Sequence, residues 1–250
     1  MYHGRHVSLV IPARNEAAML GGVLQRVPAW VDRVVVADNG STDGTAECAL
    51  RQGAQVVHEP RPGYGAACAR GVAYTLALGT EFVAFCDADG SDDPRELDRL
   101  LRPLLNGRAG LVVGCRPHAR MPRHQSLGTR FVCALLSLGF STPVSDLGPF
   151  RAIRADTLRA LALRDRGFGW TAEMQARALR FGVPVREVPV GWRAGGGHSE
   201  ITGTWRGVYR AGRDLLRHTL REILAAKRDA WHRGPGVSAR AEWPGASYKM

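Results

Sequence analysis

Lysine is nearly absent. Of 34 basic residues only Lys227 and Lys249 are lysines, which leaves 32 arginines. Arg, Ala and Gly are all plentiful, a bias of the kind genomic base composition produces. Cysteine is sparse and unpatterned: Cys48, Cys68, Cys86, Cys115 and Cys133 form no C-x-x-C pair and leave an odd count. That argues against a disulfide framework or a zinc knuckle. No secretory leader opens the chain, because Met1 to His6 runs directly into a strand-like segment. A reducing cytosol with unpaired thiols is therefore the expected compartment. No long apolar run exists either. The stretch from Phe131 to Ser145 is uncharged but interrupted by Ser, Gly, Thr and Pro, whereas a membrane-spanning helix needs about 20 apolar residues.

What is present is ordinary globular composition, with 45% hydrophobic and 23% charged residues in 250, and a formal net charge of +11. Such a charge invites nucleic acid, an anionic surface or a phosphorylated substrate as partner. The first half alternates short apolar runs with helix-like stretches. Strands are expected at 7–11, 34–36, 54–57, 81–85 and 110–113, with helices between them. Near-continuous apolar strands in repeated βα units predict an α/β fold with a mostly parallel sheet covered on both faces. In the second half, helices are expected at 127–139, 171–181 and 204–229, with strands at 150–153 and 185–190. The segment after His232 carries three Gly and two Pro and reads as a disordered tail over 233–250.

In such sheets ligands sit beyond the carboxyl ends of the strands, and the polar clusters fall there. Asp87-Ala88-Asp89-Gly90 follows the fourth strand. Alternation points both carboxylates the same way, which suits a hard divalent cation such as Mg²⁺ or Mn²⁺. The competing reading is helix capping by Ser91, Asp92 and Asp93. Pro12-Ala13-Arg14-Asn15-Glu16 and Asp38-Asn39-Gly40-Ser41-Thr42-Asp43-Gly44 end the first two strands. Acids gathered at three neighbouring strand ends imply a bound partner. Gly63-Tyr64-Gly65 adds a loop open to close backbone approach.

These residues resemble the glycosyltransferase family 2 pattern of the GT-A fold. Within it the chain looks most like the soluble dolichyl- or polyprenyl-phosphate sugar transferases. Later matching stretches are Asp146 to Arg154, Gly167 to Met174 and Gly197 to Thr204. The resemblance implies one domain over 1–232, with a nucleotide-binding half to about 114 and an acceptor half beyond it. It also implies an inverting, metal-dependent transfer from a UDP- or GDP-sugar. Pro12, Arg14, Asn15, Glu16, Gly65 and Ala88 would line the nucleotide pocket, and Asp38 would read the base edge. Asp87 would support ribose and metal, Asp89 would be the principal metal ligand, and His198 would contact the metal or diphosphate. Two departures stand out: Asn39 replaces a commoner Asp, and Glu200 stands where relatives carry Lys or Arg.

For the acceptor, the resemblance places Arg116, Arg130 and Arg151 where polyprenyl-phosphate transferases hold phosphate, and guanidinium forks suit that task. The alternative is a soluble hydroxyl acceptor, which needs a base. Glu173 would supply it, unless it merely favours a helix start. The last helix carries an arginine stripe at 206, 210, 213, 217 and 221. That stripe fits either peripheral contact with the inner face of a membrane or a solvated basic face. Acids in the cleft and the lack of a recognisable motif argue against nucleic acid.

Overall fold

The computed structural model describes residues 1–117, 119, 121, 123–196 and 205–233. Its centre is β1 (Val7–Ala13), seven residues all buried. It runs parallel to β2 (Arg33–Asp38) on one side and to β4 (Phe82–Phe85) on the other. β3 (Gln55–His58) extends the sheet beyond β2. β5 (Leu111–Cys115), β6 (Arg151–Arg154) and β7 (Val185–Pro189) complete seven strands in the order β3-β2-β1-β4-β6-β5-β7.

Period-two alternation sorts the strand side chains between two cores. Val7, Leu9 and Ile11 of β1 face α1 (Ala17–Leu24), α2 (Thr45–Arg51) and α4 (Leu97–Leu105). Val10, Val83 and Phe85 face the opposite layer, made by α3 (Tyr64–Ala77), α6 (Ala155–Leu161) and α7 (Trp170–Arg180). The chain goes from β1 to β2 on one side and later to β4 on the other. This opens a crevice beyond the carboxyl ends of β1 and β4, the topological switch point where ligands of such sheets bind.

One strand departs from the parallel expectation. β6 is antiparallel to both β4 and β5, pairing Phe85 with Arg151 and Phe82 with Arg154. The reversal carries the start of β6, and the loop before it, to the same sheet edge as the acidic clusters. α6 was not expected from the sequence; its seven residues follow β6 without a break.

α5 (Arg123–Phe140) and α8 (Trp205–Arg233) close the far side. Gly139 lets Ile223 of α8 approach closely, and Arg180 of α7 holds Glu222 and Asp229 of α8 at 2.7 Å each. All five cysteines are free. Among the described residues no helix is long and apolar enough to cross a membrane. Of the expected tail at 233–250, Arg233 is the last residue of α8, and the rest, like the motif at 197–204, lies outside the described residues.

Candidate active site

Three strand ends are stitched into one rim. Asn15, at φ 55°, takes a left-handed conformation that Asn tolerates better than most residues. Its N–H donates to Ser41 Oγ at 3.0 Å, and its Oδ1 accepts from Thr42 N at 2.9 Å. Asp43 accepts from the N–H of Ala17, the first residue of α1. Pro12 and Ala13 are buried, and Arg14 is exposed. Asp38 accepts from Ser41 N and meets His58 Nδ1 at 3.1 Å. Asn39 explains its own departure from Asp. Its Nδ2 donates to the carbonyls of Glu59 and Arg61, while its Oδ1 accepts from Gly63 N. A carboxylate could make only the last of these bonds.

Beyond β4 the carboxylates crowd together. Tyr64 donates to Asp87 Oδ1 at 3.2 Å, and Ser91 N to Asp89 Oδ1 at 2.9 Å. Asp92 turns inward, fully buried, where its Oδ2 accepts from Asp87 N at 3.3 Å and its Oδ1 has no partner. The capping role falls instead to Asp93, which accepts from Arg95 N. Burial and the charges of Asp92 and Asp89 push Asp87 well up from the usual carboxylate range. Burial also lifts Asp92 to about 7. Across the crevice Glu16 rises to about 7, from burial and then the charges of Asp89 and Asp43, and its buried Oε2 has no partner. Buried acids without cations or donors are expensive.

A strap covers this rim. Arg193 donates through Nε to Gly90 O, and Gly196 N donates to Asp89 O. Gly195 leaves no room for a side chain against Asp89 Oδ2, and a side chain at Gly196 would have to displace the end of Met19. Ala88 is buried below. Gly65 packs so closely on the carbonyls of Asp165 and Gly167 that a side chain would collide, and its N–H donates to Gly167 O.

Behind the rim the charges are paired. Arg116 grips Asp146 with both prongs, Nε–Oδ2 at 2.8 Å and Nη2–Oδ1 at 2.7 Å. Arg151 is 1% exposed and donates to the carbonyls of Leu147, Gly148 and Thr171. Burial lowers its pKa to about 10, so it stays charged at neutral pH. Glu173 is also 1% exposed. Its Oε2 accepts from the N–H groups of Arg164 and Asp165, and its Oε1 lies 3.7 Å from Arg177. Arg130 is exposed on α5. His198 lies outside the described residues, and among those described no three His, Cys, Asp or Glu side chains form a ready metal cage.

A family model described as glycosyl transferase family 2 matches residues 8–154. The chain belongs to this family. It is a glycosyltransferase of the GT-A fold. An uncharacterised glycosyltransferase of Mycobacterium tuberculosis is 42% identical over 208 residues, covering 82% of this chain and 93% of the relative. An undecaprenyl-phosphate mannosyltransferase of Micrococcus luteus is 32% identical over 204 residues, 74% of this chain and 82% of its own. The crystal structure of M. tuberculosis glucosyl-3-phosphoglycerate synthase with Mn²⁺, UDP-glucose and phosphoglyceric acid matches at TM-score 0.74. That match has 26% identity over 88% of this chain and 80% of the synthase.

These structures correct the expected branch. The fold follows, over most of its length, synthases crystallised with a soluble phosphoglyceric acid, and the polyprenyl- or dolichyl-phosphate acceptor is set aside. The arginines carry a separate lesson. A guanidinium at a strand end reads in sequence as a phosphate clamp, yet Arg151 is spent on backbone carbonyls and Arg116 on Asp146. Asp92, Tyr64 and Arg193 are the site residues that sequence reasoning missed. Asp92 was hidden beside a true capping acid. Arg193 lies 104 residues after Asp89, so no local pattern joins them.

Proposed function

We propose that the protein transfers glucose from UDP-glucose to the hydroxyl of a small phosphorylated acid of the phosphoglycerate class. The observation that carries this reading is the likeness to the synthase bound to Mn²⁺, UDP-glucose and phosphoglyceric acid. The site chemistry supports a metal. Asp87 and Asp89 offer hard oxygen donors, and Glu16 and Asp92 beside them each keep one oxygen without a hydrogen-bond donor and have pKa values raised to about 7. Mg²⁺ and Mn²⁺ are commonly held by one or two carboxylates plus substrate phosphates. Asp87 and Asp89 would hold the ion, which when bound stabilises charge on the departing diphosphate.

The chain's own residues do the rest. Pro12, Arg14, Asn15, Glu16 and Asp38 shape the nucleotide end, with Ala88 buried beneath it and Gly65 fixing the start of α3 against the 165–167 backbone. Arg193, exposed and anchored beside Asp89, is the cation placed to meet an acceptor phosphate. Arg116, Arg151 and Glu173 hold the loops behind the site. The test is incubation with UDP-glucose and Mn²⁺, offering 3-phosphoglycerate, glycerate and a polyprenyl phosphate separately. The expected product is glucosyl-phosphoglycerate, lost with a chelator. Glucose appearing only on the lipid phosphate would overturn the reading.

We also infer that the α5–α8 face rests on an anionic bilayer surface. Leu127, Phe131 and Leu138 form one exposed stripe on α5, and Leu138 is 81% exposed. Leu220 and Leu224 are exposed on α8 beside Arg213, Arg217 and Arg221. α5 contains no acid, and Glu222 and Asp229 turn inward to Arg180. Apolar stripes flanked by arginines match an anionic interface. Sedimentation with phosphatidylglycerol vesicles should exceed that with phosphatidylcholine about tenfold and be lost in Phe131→Asp. Equal sedimentation with both would refute it.

A further inference from the structure

Both α7 and α8 carry buried polar atoms at and near their seam. Trp170 Nε1, both amide atoms of Gln175, Arg177 Nε, His218 Nδ1 and Thr219 Oγ1 are buried without hydrogen-bond partners among the described residues. Near the site, one bond fastens the seam: His218 Nε2 to Asp165 Oδ2 at 2.7 Å. Gly169 leaves no room for a side chain beside the His218 ring, so the loop and the imidazole are in direct contact.

From Asp165 a short series of contacts leads to the carboxylates. Asp165 Oδ1 accepts from Gly167 N at 2.9 Å, which turns the loop. Glu173 Oε2 holds the same loop through the N–H groups of Arg164 and Asp165. The Gly167 and Arg166 carbonyls accept from Gly65 N and Ala66 N at 2.9 and 3.0 Å. Gly63 and Gly65 pack against that backbone too closely for any side chain. Between them stands Tyr64, whose hydroxyl donates to Asp87 Oδ1.

We propose that His218, through Asp165 and the 165–167 loop, is a positioning residue that sets Tyr64 and hence Asp87 for the nucleotide–metal complex. The inference rests on the reading of Asp87 as part of that site. His218 touches no reacting atom; it fixes the position of the start of α3. The bond to Asp165 raises the pKa of His218 despite the opposing effect of burial, with Asp165 and Glu173 favouring the cation and Arg217 opposing it. An imidazolium bonded to a carboxylate holds a loop more firmly than a neutral pair.

The experiment is calorimetric titration with UDP plus Mn²⁺, which needs no acceptor, on wild type, His218→Gln, Tyr64→Phe and the double variant. Each single variant is expected to bind about tenfold more weakly. The double variant should also lose about tenfold rather than about a hundredfold, since groups acting in series are not additive. Asp165→Asn supplies the same comparison should His218→Gln not fold. Unchanged binding in His218→Gln, or losses that multiply in the double variant, would overturn the proposal. Absence of UDP–Mn²⁺ binding by wild type would instead overturn the functional reading on which it stands.

Discussion

Two layers of sheltered charge adjoin at Arg116, which grips Asp146 and acts on Asp92 and Asp87, and they differ in one respect. On the rim, Glu16, Asp87, Asp89 and Asp92 crowd together, and oxygens of Glu16 and Asp92 lack partners. Behind it, Asp146, Glu173 and Asp165 are just as sheltered, yet each carboxylate has donors: Arg116, two backbone amides and His218. On the proposed reading, the paired acids hold the fold and the unpaired ones serve a ligand. A paired buried charge holds loops in place. An unpaired one destabilises the free protein and becomes favourable only when something cationic arrives.

That contrast can be broken most severely at Asp146. Asp146→Asn leaves the buried Arg116 without its anion and should cost about 3–5 kcal/mol of stability in denaturant unfolding. A loss below about 1 kcal/mol would place the pair among ordinary surface bridges. Asn39→Asp is next. It sets a carboxylate against two carbonyls that now accept from the amide, and it should cost about 1–3 kcal/mol, even though it restores the commoner family residue.

Asp92 tests the rim with the opposite sign. Its folded pKa is raised to about 7, above an unfolded value of about 4. Metal-free protein should therefore lose stability as pH rises from about 4 to about 7 and stay at that lower level above it. Asp92→Asn keeps an acceptor for Asp87 N and removes the charge, so at pH 8 it should be stabilised by up to about 4 kcal/mol. Lower melting of the variant at pH 8 would show that Asp92 is already compensated.

Glu173 gives the smallest expected effect. Glu173→Gln retains an oxygen for both backbone amides, and glucosyl transfer should fall less than about threefold. A general base would cost about 10²-fold or more.

Much of this arrangement was legible in the residues. Continuous apolar runs gave the strands, and Asp87-Ala88-Asp89 and Asp38-Asn39 stood where a doubly wound sheet puts its ligand. Direction was not legible: Arg151-Ala152-Ile153-Arg154 has the same apolar centre in either orientation, and only its neighbours make β6 antiparallel. Nor was the fate of the arginines. Arg116 meets Asp146 thirty residues away, and Arg151 meets carbonyls, which any sequence offers everywhere. Asp92 and Asp93 are identical letters in adjacent positions, and the backbone alone turns one inward and one to Arg95. The strap from Gly191 to Gly196 reads as Trp192, Arg193 and Ala194 set among three glycines, and nothing local shows that Asp89 leaves Gly195 no room for a side chain.

The most direct test of the central claim, that the unpaired rim is built for a cation and a nucleotide diphosphate, is Mn²⁺ binding measured with and without UDP. Wild type and Asp89→Ala should be compared after both are shown to be folded. One Mn²⁺ per chain, bound tightly only with UDP and lost in Asp89→Ala, is the predicted result. Equal Mn²⁺ and UDP binding by the two proteins would contradict it.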